Sequence, residues 1–232
     1  MAMKRISSST TLYCFSPPIM LATILIETFL AIFALFRYRY NPVLGIIFAT
    51  LILLAVFQLA EYQTCGGAGL GWSRLGYIAI TLLPPLGLHL IAKISAKPYR
   101  FLKIVGDTAA LLFIIGFGFG STFLNAPICA GNYVVFSLHS PFSAWYGYYY
   151  IGMLLFTIGI AIKEATEATA HTKSALYWVS IGYLIFLIPT GIVNAINPAT
   201  VAAIPSIMCG FAVLYALILV GKILPQVSKV KP

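Results

Sequence analysis

Long apolar runs separated by short polar segments dominate the chain. Seven runs consist almost entirely of Leu, Ile, Val, Phe, Ala and Gly. Each is long enough to cross a bilayer core of roughly 30 Å as an α-helix of about 20 residues. The pattern predicts an all-α polytopic membrane protein with one seven-helix domain over residues 1–232. The predicted helices are residues 17–36, 43–62, 73–93, 102–124, 145–163, 175–196 and 201–224.

Composition agrees with a lipid environment and argues against a soluble or nucleic-acid-binding protein. Of 232 residues, 61% are hydrophobic and 8% charged, and the mean hydropathy is +0.98. A soluble domain needs more polar surface than this. The net charge of +9 is divided among short connections and forms no basic stripe with interleaved aromatic residues. The first apolar segment is too long for a secretory signal and lacks a small-residue cleavage site, so we expect it to be retained.

The basic residues predict the orientation of the helices. Only Lys4, Arg5 and Arg74 fall at the amino terminus or in the connections on its side. Positive residues remain on the cytoplasmic side, so we expect an extracytoplasmic amino terminus and a cytoplasmic carboxyl terminus in a cell membrane. The other set, placed inside, contains Arg37, Arg39, Lys93, Lys97, Arg100, Lys103, Lys163, Lys173, Lys222, Lys229 and Lys231.

Two outer connections have distinctive sequences. Thr64–Trp72 is short and rich in Gly, and Asn125–Ala144 is the longest connection. The latter contains a β-like stretch, Tyr133–Leu138, which predicts a small hairpin lying over the mouth of the bundle.

The cysteines point to a disulfide on the outer side. Cys14, Cys65 and Cys129 fall outside on this topology, where an oxidising environment permits disulfides. We expect Cys65 to pair with Cys129, with a pairing of Cys14 or three free thiols as alternatives. Cys209 lies within the seventh helix, where a small packing role is expected.

Ionisable residues at membrane depth are candidates for function, because they are costly there. Glu27 lies near the middle of the first helix and is either a ligand- or proton-linked carboxyl group or a structural hydrogen-bonding group. His89 and Asp107 lie at similar depth on consecutive helices, which allows an Asp107–His89 or Asp107–Lys103 pair. Such a pair would be a proton relay, a conformational latch or a plain tie between helices.

Prolines within the runs predict bends. Pro84 and Pro85 remove two backbone donors from the middle of the third helix. Pro189 and Pro205 predict further breaks in the sixth and seventh helices. Bends at this depth would open a central cavity and supply a flexing point.

A ligand site is expected at the outer mouth. Glu61 and Arg74 flank the Gly-rich connection and could form an ion pair there, with or without a ligand role. The aromatic run from Trp145 to Tyr150 at the start of the fifth helix fits an interfacial belt better than a ligand-stacking wall, although its five rings cannot all face headgroups. The predicted ligand-binding residues are Glu27, Gln58, Glu61, Tyr62, Trp72, Arg74 and Tyr149.

Short motifs in the first three helices resemble a known family. They are Phe36-Arg37-Tyr38-Arg39, Leu59-Ala60-Glu61-Tyr62, Trp72-Ser73-Arg74-Leu75-Gly76-Tyr77 and Ile80-Thr81-Leu82-Leu83-Pro84-Pro85. This sequence is similar to the seven-helix sensor region at the amino terminus of some bacterial histidine kinases. The resemblance implies a sensory role. In those proteins a signalling domain follows, whereas this sequence stops soon after the seventh helix, so we expect either an output domain missing from it or a separate partner.

The sequence therefore favours a receptor-like sensory module. It would bind a small apolar ligand in an outward-facing cavity between helices 2, 3, 5, 6 and 7, and signal to a cytoplasmic partner. The alternatives are a small transporter of three, one and three helices, and a structural or assembly subunit. No HExxH zinc motif or phosphate-binding Gly-rich loop is found, and we expect no enzymatic activity, no metal and no cofactor.

Overall fold

The structure, a computed structural model, describes residues 17–67, 69–120, 124, 127–129, 134–135 and 138–229. Most of these residues are helical. In chain order the elements are α1 (Pro17–Arg37), α2 (Leu44–Cys65), α3 (Leu70–Thr81), α4 (Leu83–Ile94), α5 (Arg100–Phe119), β1 (Ile128–Cys129), β2 (Val134–Val135), α6 (Phe142–Glu167), α7 (Ala170–Ile196), a 3₁₀ helix (Pro198–Ala203), α8 (Ile204–Ile218), a π-helical turn (Leu219–Ile223) and α9 (Leu224–Val227).

Seven of the described segments are long and apolar enough to cross a membrane, which confirms the predicted all-α seven-helix class. Helices α3 and α4 together form the third segment, and α8, the π-helical turn and α9 together form the seventh. The membrane orientation stays a prediction. The segments are Pro18–Arg37, Leu44–Cys65, Leu70–Ile94, Arg100–Phe119, Phe142–Glu167, Ala170–Ile196 and Ile204–Val227.

Several predicted helix ends were wrong. The fourth helix stops at Phe119 and not at residue 124, because Gly120 takes an extended conformation. The fifth and sixth helices are longer than predicted, running over Phe142–Glu167 and Ala170–Ile196. Polar ends of helices extend beyond the hydrocarbon region, where hydrophobicity no longer indicates the helix boundary.

The prolines act in three different ways. Pro84 and Pro85 divide the third segment, so that α3 ends at Thr81 and α4 begins at Leu83. Helix α7 continues through Pro189. Pro205 was predicted to break the seventh helix, but it lies in the first turn of α8, where a missing N–H group is tolerated.

A short antiparallel pair lies in the connection before α6. Strands β1 and β2 place Cys129 opposite Val134 and Ile128 opposite Val135, and an isolated bridge joins Leu124 to Leu138. Strand β2 falls within the stretch that the sequence marked as β-like. Both strands contact α2, and β2 also contacts the 3₁₀ helix.

The centre of the bundle is formed by α2, α4, α7 and α8. Helix α1 packs against α2 and α8, whereas α6 packs against α4 and α7. Only 17% of the apolar window of α5 is buried, against 67% for α3 with α4, so α5 lies at the periphery.

One end of the bundle, called here the basic end, is held by polar side-chain contacts. Asn41 Nδ2, between α1 and α2, donates to Leu224 O at 3.2 Å and to Ser228 Oγ at 2.8 Å. His171 Nδ1 lies 3.1 Å from Gln226 Oε1. The opposite end, where α2 finishes, is called the Cys65 end.

The connection between α4 and α5 is also fixed at the basic end. Lys97 Nζ lies 2.6 Å from Glu164 Oε2 and 3.2 Å from Glu167 Oε2, and the Tyr99 hydroxyl donates to Glu164 Oε1. Hydrogen bonds to Glu164 and Glu167 raise the pKa of Lys97. Desolvation and then the Glu164 hydrogen bond raise the pKa of Tyr99 to about 12. These contacts hold a connection in which Ala96 and Tyr99 have positive φ values of 55° and 39°, a conformation that costs non-glycine residues free energy.

Candidate functional site

A cavity of about 590 Å³ lies between α3, α6 and α8 towards the Cys65 end. This volume falls within the range of small-molecule sites. The wall is mainly apolar, with three tyrosines and one serine. The lining residues are Tyr77, Ile80, Leu138, Ser143, Ala144, Tyr146, Gly147, Tyr150, Ile151, Pro198, Val201, Ile204, Pro205 and Met208.

The divided third segment positions one side of this cavity. In an α-helix the carbonyls of Ile80 and Thr81 would accept hydrogen bonds from residues 84 and 85, but both are prolines without N–H groups. The Leu82 N–H donates to Ile80 O, and the Tyr149 hydroxyl donates to Thr81 O at 2.7 Å. Tyr149, a predicted ligand residue, therefore supports the backbone beside the cavity and does not line it.

The aromatic run at the start of α6 has two different faces. Trp145 and Tyr148 are 66% and 76% exposed, as lipid-facing or interfacial rings would be, whereas Tyr146 is 6% exposed. The Tyr146 hydroxyl lies 3.0 Å from Thr81 Oγ1, and its ring meets the Tyr77 ring edge-on with centroids 5.6 Å apart. The run is therefore partly an interfacial belt and partly a cavity wall.

A second, smaller space continues from the cavity into the bundle. Its volume of about 20 Å³ suits roughly one water molecule. Tyr150 and Met208 line both spaces. The remaining lining residues are Thr50, Leu54, Leu83, Leu154, Tyr183, Phe186, Cys209, Ala212 and Tyr215.

Two buried carboxyl groups form a separate polar cluster between α1, α2 and α8. Glu27 is 0% exposed and Glu61 is 2% exposed, and they are near enough to interact electrostatically. Ser206 Oγ of α8 donates to Glu61 Oε1. In the part of the chain that the structure describes, neither oxygen of Glu27 has a hydrogen-bond partner, and Gln58 Nε2 has none either.

The suggested pairing of Glu61 with Arg74 was wrong. The two side chains do not meet, because Glu61 turns towards α8 while Arg74 turns towards α5, where its Nη1 donates to Gly118 O at 3.3 Å. Glu61 and Arg74 lie on neighbouring helices, and nearness in sequence did not determine the direction of their side chains.

The remaining predicted ligand residues also lie elsewhere. Tyr62 is 37% exposed on the outer surface of α2, and Trp72 is half-buried in the first turn of α3. Among the lining residues that the structure describes, none of the seven predicted ligand residues occurs. The cavity lies between the third, fifth and seventh segments, and its described wall contains no residue of α2 or α7.

Of the two pairings predicted for Asp107, the structure has the one with His89. His89 Nε2 lies 3.0 Å from Asp107 Oδ2 and 3.1 Å from Oδ1. The side chains are 33% and 50% exposed, so the pair ties α4 to α5 at the periphery of the bundle. Pro84 and Pro85 are buried in the first turn of α4, and Pro189 lies in α7.

The cysteines fall in different environments. Cys65 is disulfide-bonded, and Cys209 is a buried free thiol. The backbone of Cys129 lies in β1, which contacts α2, but its side chain and Cys14 are outside the described residues. The pairing of Cys65 with Cys129 therefore stays a prediction.

Most residues of the cavity were not predicted from the sequence. Ile80, Ile204 and Met208 resemble any other apolar residue of a spanning helix, and only the aromatic run of α6 carried a signal. Within the described residues, no three His, Cys, Asp or Glu side chains are grouped to hold a metal ion. A comparison of the chain with known protein families and with curated proteins finds no match.

Proposed function

We propose that this protein is a seven-helix sensory, receptor-like membrane module that binds a small apolar ligand in the cavity between α3, α6 and α8. The observation that carries the proposal is the cavity itself, with its volume of about 590 Å³ and its largely apolar wall. Most small-molecule sites combine such a wall with a few polar groups that orient the ligand.

The wall favours a ligand with a mostly hydrocarbon body and one hydrogen-bonding group. Ile80, Ile151, Val201 and Ile204 supply aliphatic contacts. The tyrosine hydroxyls supply the few polar groups, and an aromatic ring can bury a large apolar area while its hydroxyl still finds a partner.

Two features support transmission from the cavity to the basic end. Met208 of the cavity wall lies on α8, which continues through the π-helical turn into α9. Gln226 of α9 contacts His171 at the start of α7. On the other side, the cavity residue Ile80 lies beside the break between α3 and α4, where the regular hydrogen-bond ladder is interrupted.

The proposal includes the predicted membrane arrangement. In it the Cys65 end faces outwards in a cell membrane, a Cys65–Cys129 disulfide holds the hairpin near the cavity, and the basic end meets a cytoplasmic signalling partner. The charge distribution and the resemblance of the first three helices to histidine kinase sensor regions support this reading.

Photolabelling with a diazirine-bearing long-chain alcohol tests ligand binding to the protein in lipid nanodiscs. We expect the label on peptides that contain residues 143–151 and 198–208. Gly147 lines the cavity and has open space beside its Cα, so Gly147→Trp places a ring in the cavity. We expect this change to reduce labelling several-fold.

Gly152→Trp is the matched control. Gly152 lies on the same helix, is exposed, and also has open space beside its Cα, but it does not line the cavity. Its labelling should equal that of the unchanged protein. Equal labelling of the two variants at residues 143–151 would contradict the proposal.

A further inference from the structure

The carboxyl pair described above lies apart from the cavity and has its own physical consequence. Glu27 lies ten residues from each end of α1, or about 15 Å from either end at 1.5 Å per residue. Glu61 lies four residues before the end of α2, which is about 6 Å from the Cys65 end. The two side chains are thus staggered along the membrane normal.

Among the described residues, no positive group pairs with either of these two carboxyl groups. The ion pairs of the described residues join His89 to Asp107 and Lys97 to Glu164 and Glu167, and none includes Glu27 or Glu61. Two buried carboxylates that interact with each other, without a counter-charge, would each carry a large desolvation cost and would repel each other. Bound protons remove both costs.

The groups that face the pair support this account. Glu61 of α2 interacts electrostatically with Glu27, and the Cys209 thiol of α8 interacts electrostatically with both carboxyl groups. On α3, which packs against α2, Arg74 donates to Gly118 O and Tyr77 stacks on Phe117 at 4.7 Å, so both are directed towards α5.

Buried polar side chains connect the pair with the Cys65 end. Gln58 lies one turn from Glu61 on the same face of α2, and both are 2% exposed. Ser206 in the first turn of α8 donates to Glu61, and Ser73 in the first turns of α3 is 1% exposed with no hydrogen-bond partner among the described residues. These groups lie between Glu27 and the helix ends at Cys65.

Along the interface of α1 and α2, these buried polar side chains end at Glu27. Further towards the basic end, the buried residues of α1 are Ala31 and Ala34, and those of α2 include Ile47 and Leu51, all 0% exposed. The Thr50 hydroxyl of α2 is bonded to Ile46 O of its own helix. Among the described residues, no further carboxyl group follows Glu27 along this interface of α1 and α2.

From these observations we infer that Glu27 and Glu61 form a proton-binding pair reached only from the Cys65 end, so that the protein binds protons from one side of the membrane without passing them through. Proton binding at this pair is separate from the proposed binding of an apolar ligand in the cavity and does not depend on it. It gives the protein a second ligand, the proton, at a site between α1, α2 and α8.

Infrared difference spectroscopy of the protein in nanodiscs tests proton binding. We expect a protonated-carboxyl C=O band at neutral pH that diminishes in Glu27→Gln and in Glu61→Gln and disappears in the double variant. Glu167→Gln is the control, since Glu167 is exposed at the basic end. A band of unchanged intensity in the double variant would overturn the inference.

Isotope labelling keeps the test valid if a variant fails to fold. The chain contains four glutamates, of which only Glu27 and Glu61 lie in the carboxyl pair. In unchanged protein with glutamate ¹³C-labelled at the side-chain carboxyl, the band should shift to lower frequency. A band that does not shift would arise from Asp107 or another group and would contradict the proposal.

A flux measurement tests the one-sided access. Proteoliposomes containing a pH-sensitive dye and an imposed potassium diffusion potential should show no proton flux above protein-free vesicles. Flux that is abolished in Glu27→Gln would overturn one-sided binding. These results are independent of the photolabelling of the cavity, so the two proposals fail separately.

Discussion

The two ends of the bundle use polar side chains in opposite ways. At the basic end, Asn41, Lys97 and Tyr99 make specific contacts with neighbouring helices or the carboxyl-terminal segment. From the middle of α1 to the Cys65 end, Glu27 and Gln58 are buried with polar atoms that have no partner among the described residues, and a large cavity lies towards the same end. Polar groups that have hydrogen-bond partners stabilise a structure. Buried polar groups without partners lower its stability and indicate a functional site.

The space beside the glycines also differs, between the central helix contacts and the wall of the cavity. A Cβ atom at Gly87 of α4 would collide with the Tyr183 hydroxyl of α7, whereas one at Gly147 of α6 would meet open space. The helices of the central bundle approach closely at Gly87, and close approach through small residues is typical of membrane helix contacts. The wall of the cavity has no such constraint.

The largest effect on stability is expected from overpacking the close helix contact. Gly87→Leu should lower the free energy of unfolding by about 1–3 kcal/mol or more, because Tyr183 cannot give way without disturbing the core. Gly147→Leu is the control and should change it by less than about 0.5 kcal/mol. Equilibrium unfolding in mixed micelles measures both, and equal losses would show that the two regions are packed alike.

A smaller effect is expected at the basic end. Glu164→Ala removes the partner of both Lys97 and Tyr99 and should cost about 1 kcal/mol through the lost hydrogen bond to Tyr99. Glu167→Ala removes only an exposed contact of Lys97 and should cost clearly less. If the same unfolding measurement gives equal values, Glu164 does not hold the connection between α4 and α5.

The smallest effect concerns the pH dependence of this connection. Because the pKa of Tyr99 is raised from 10 to about 12, the folded state holds the phenol proton more tightly than the unfolded state. The resulting stabilisation is complete below pH 10 and is lost as the pH rises to about 12, and the raised pKa of Lys97 acts in the same direction. Tyr99→Phe should therefore lose less stability across this pH range than the unchanged protein, as measured by thermal unfolding. An identical loss would contradict this origin of the pH dependence.

Some features of the site followed from residue type alone. Pro84 and Pro85 had to interrupt the third segment because they lack N–H groups, and the structure divides the segment there. The excess of five rings at the start of α6 indicated that some must turn inwards, as Tyr146 does. Glu27 stood out because a carboxyl group in hydrocarbon is costly, and the structure buries it.

Other features depended on how the helices rotate about their axes. The sequence suggested an ion pair of Glu61 with Arg74 across a short connection, but their helices direct them to α8 and α5. The cavity residue Met208 is four residues from Ala212 and one from Cys209, and nothing in this apolar sequence marks it as a lining residue. Spacing along a helix determines which residues share a face, but it does not determine which neighbour that face meets.

Residue types and their order along the chain were enough to predict the number of spanning segments and the residues that could not face lipid. The reason is that a bilayer requires each segment to be about 20 apolar residues long and to satisfy its own backbone hydrogen bonds. The folded bundle, and not the order of residues, brings Glu27 of α1 within electrostatic range of Glu61 of α2 and places Tyr77, Tyr150 and Met208 around a cavity. All these helices are apolar over most of their surface, so the packing of the whole bundle, and not any one segment, selects their contacts.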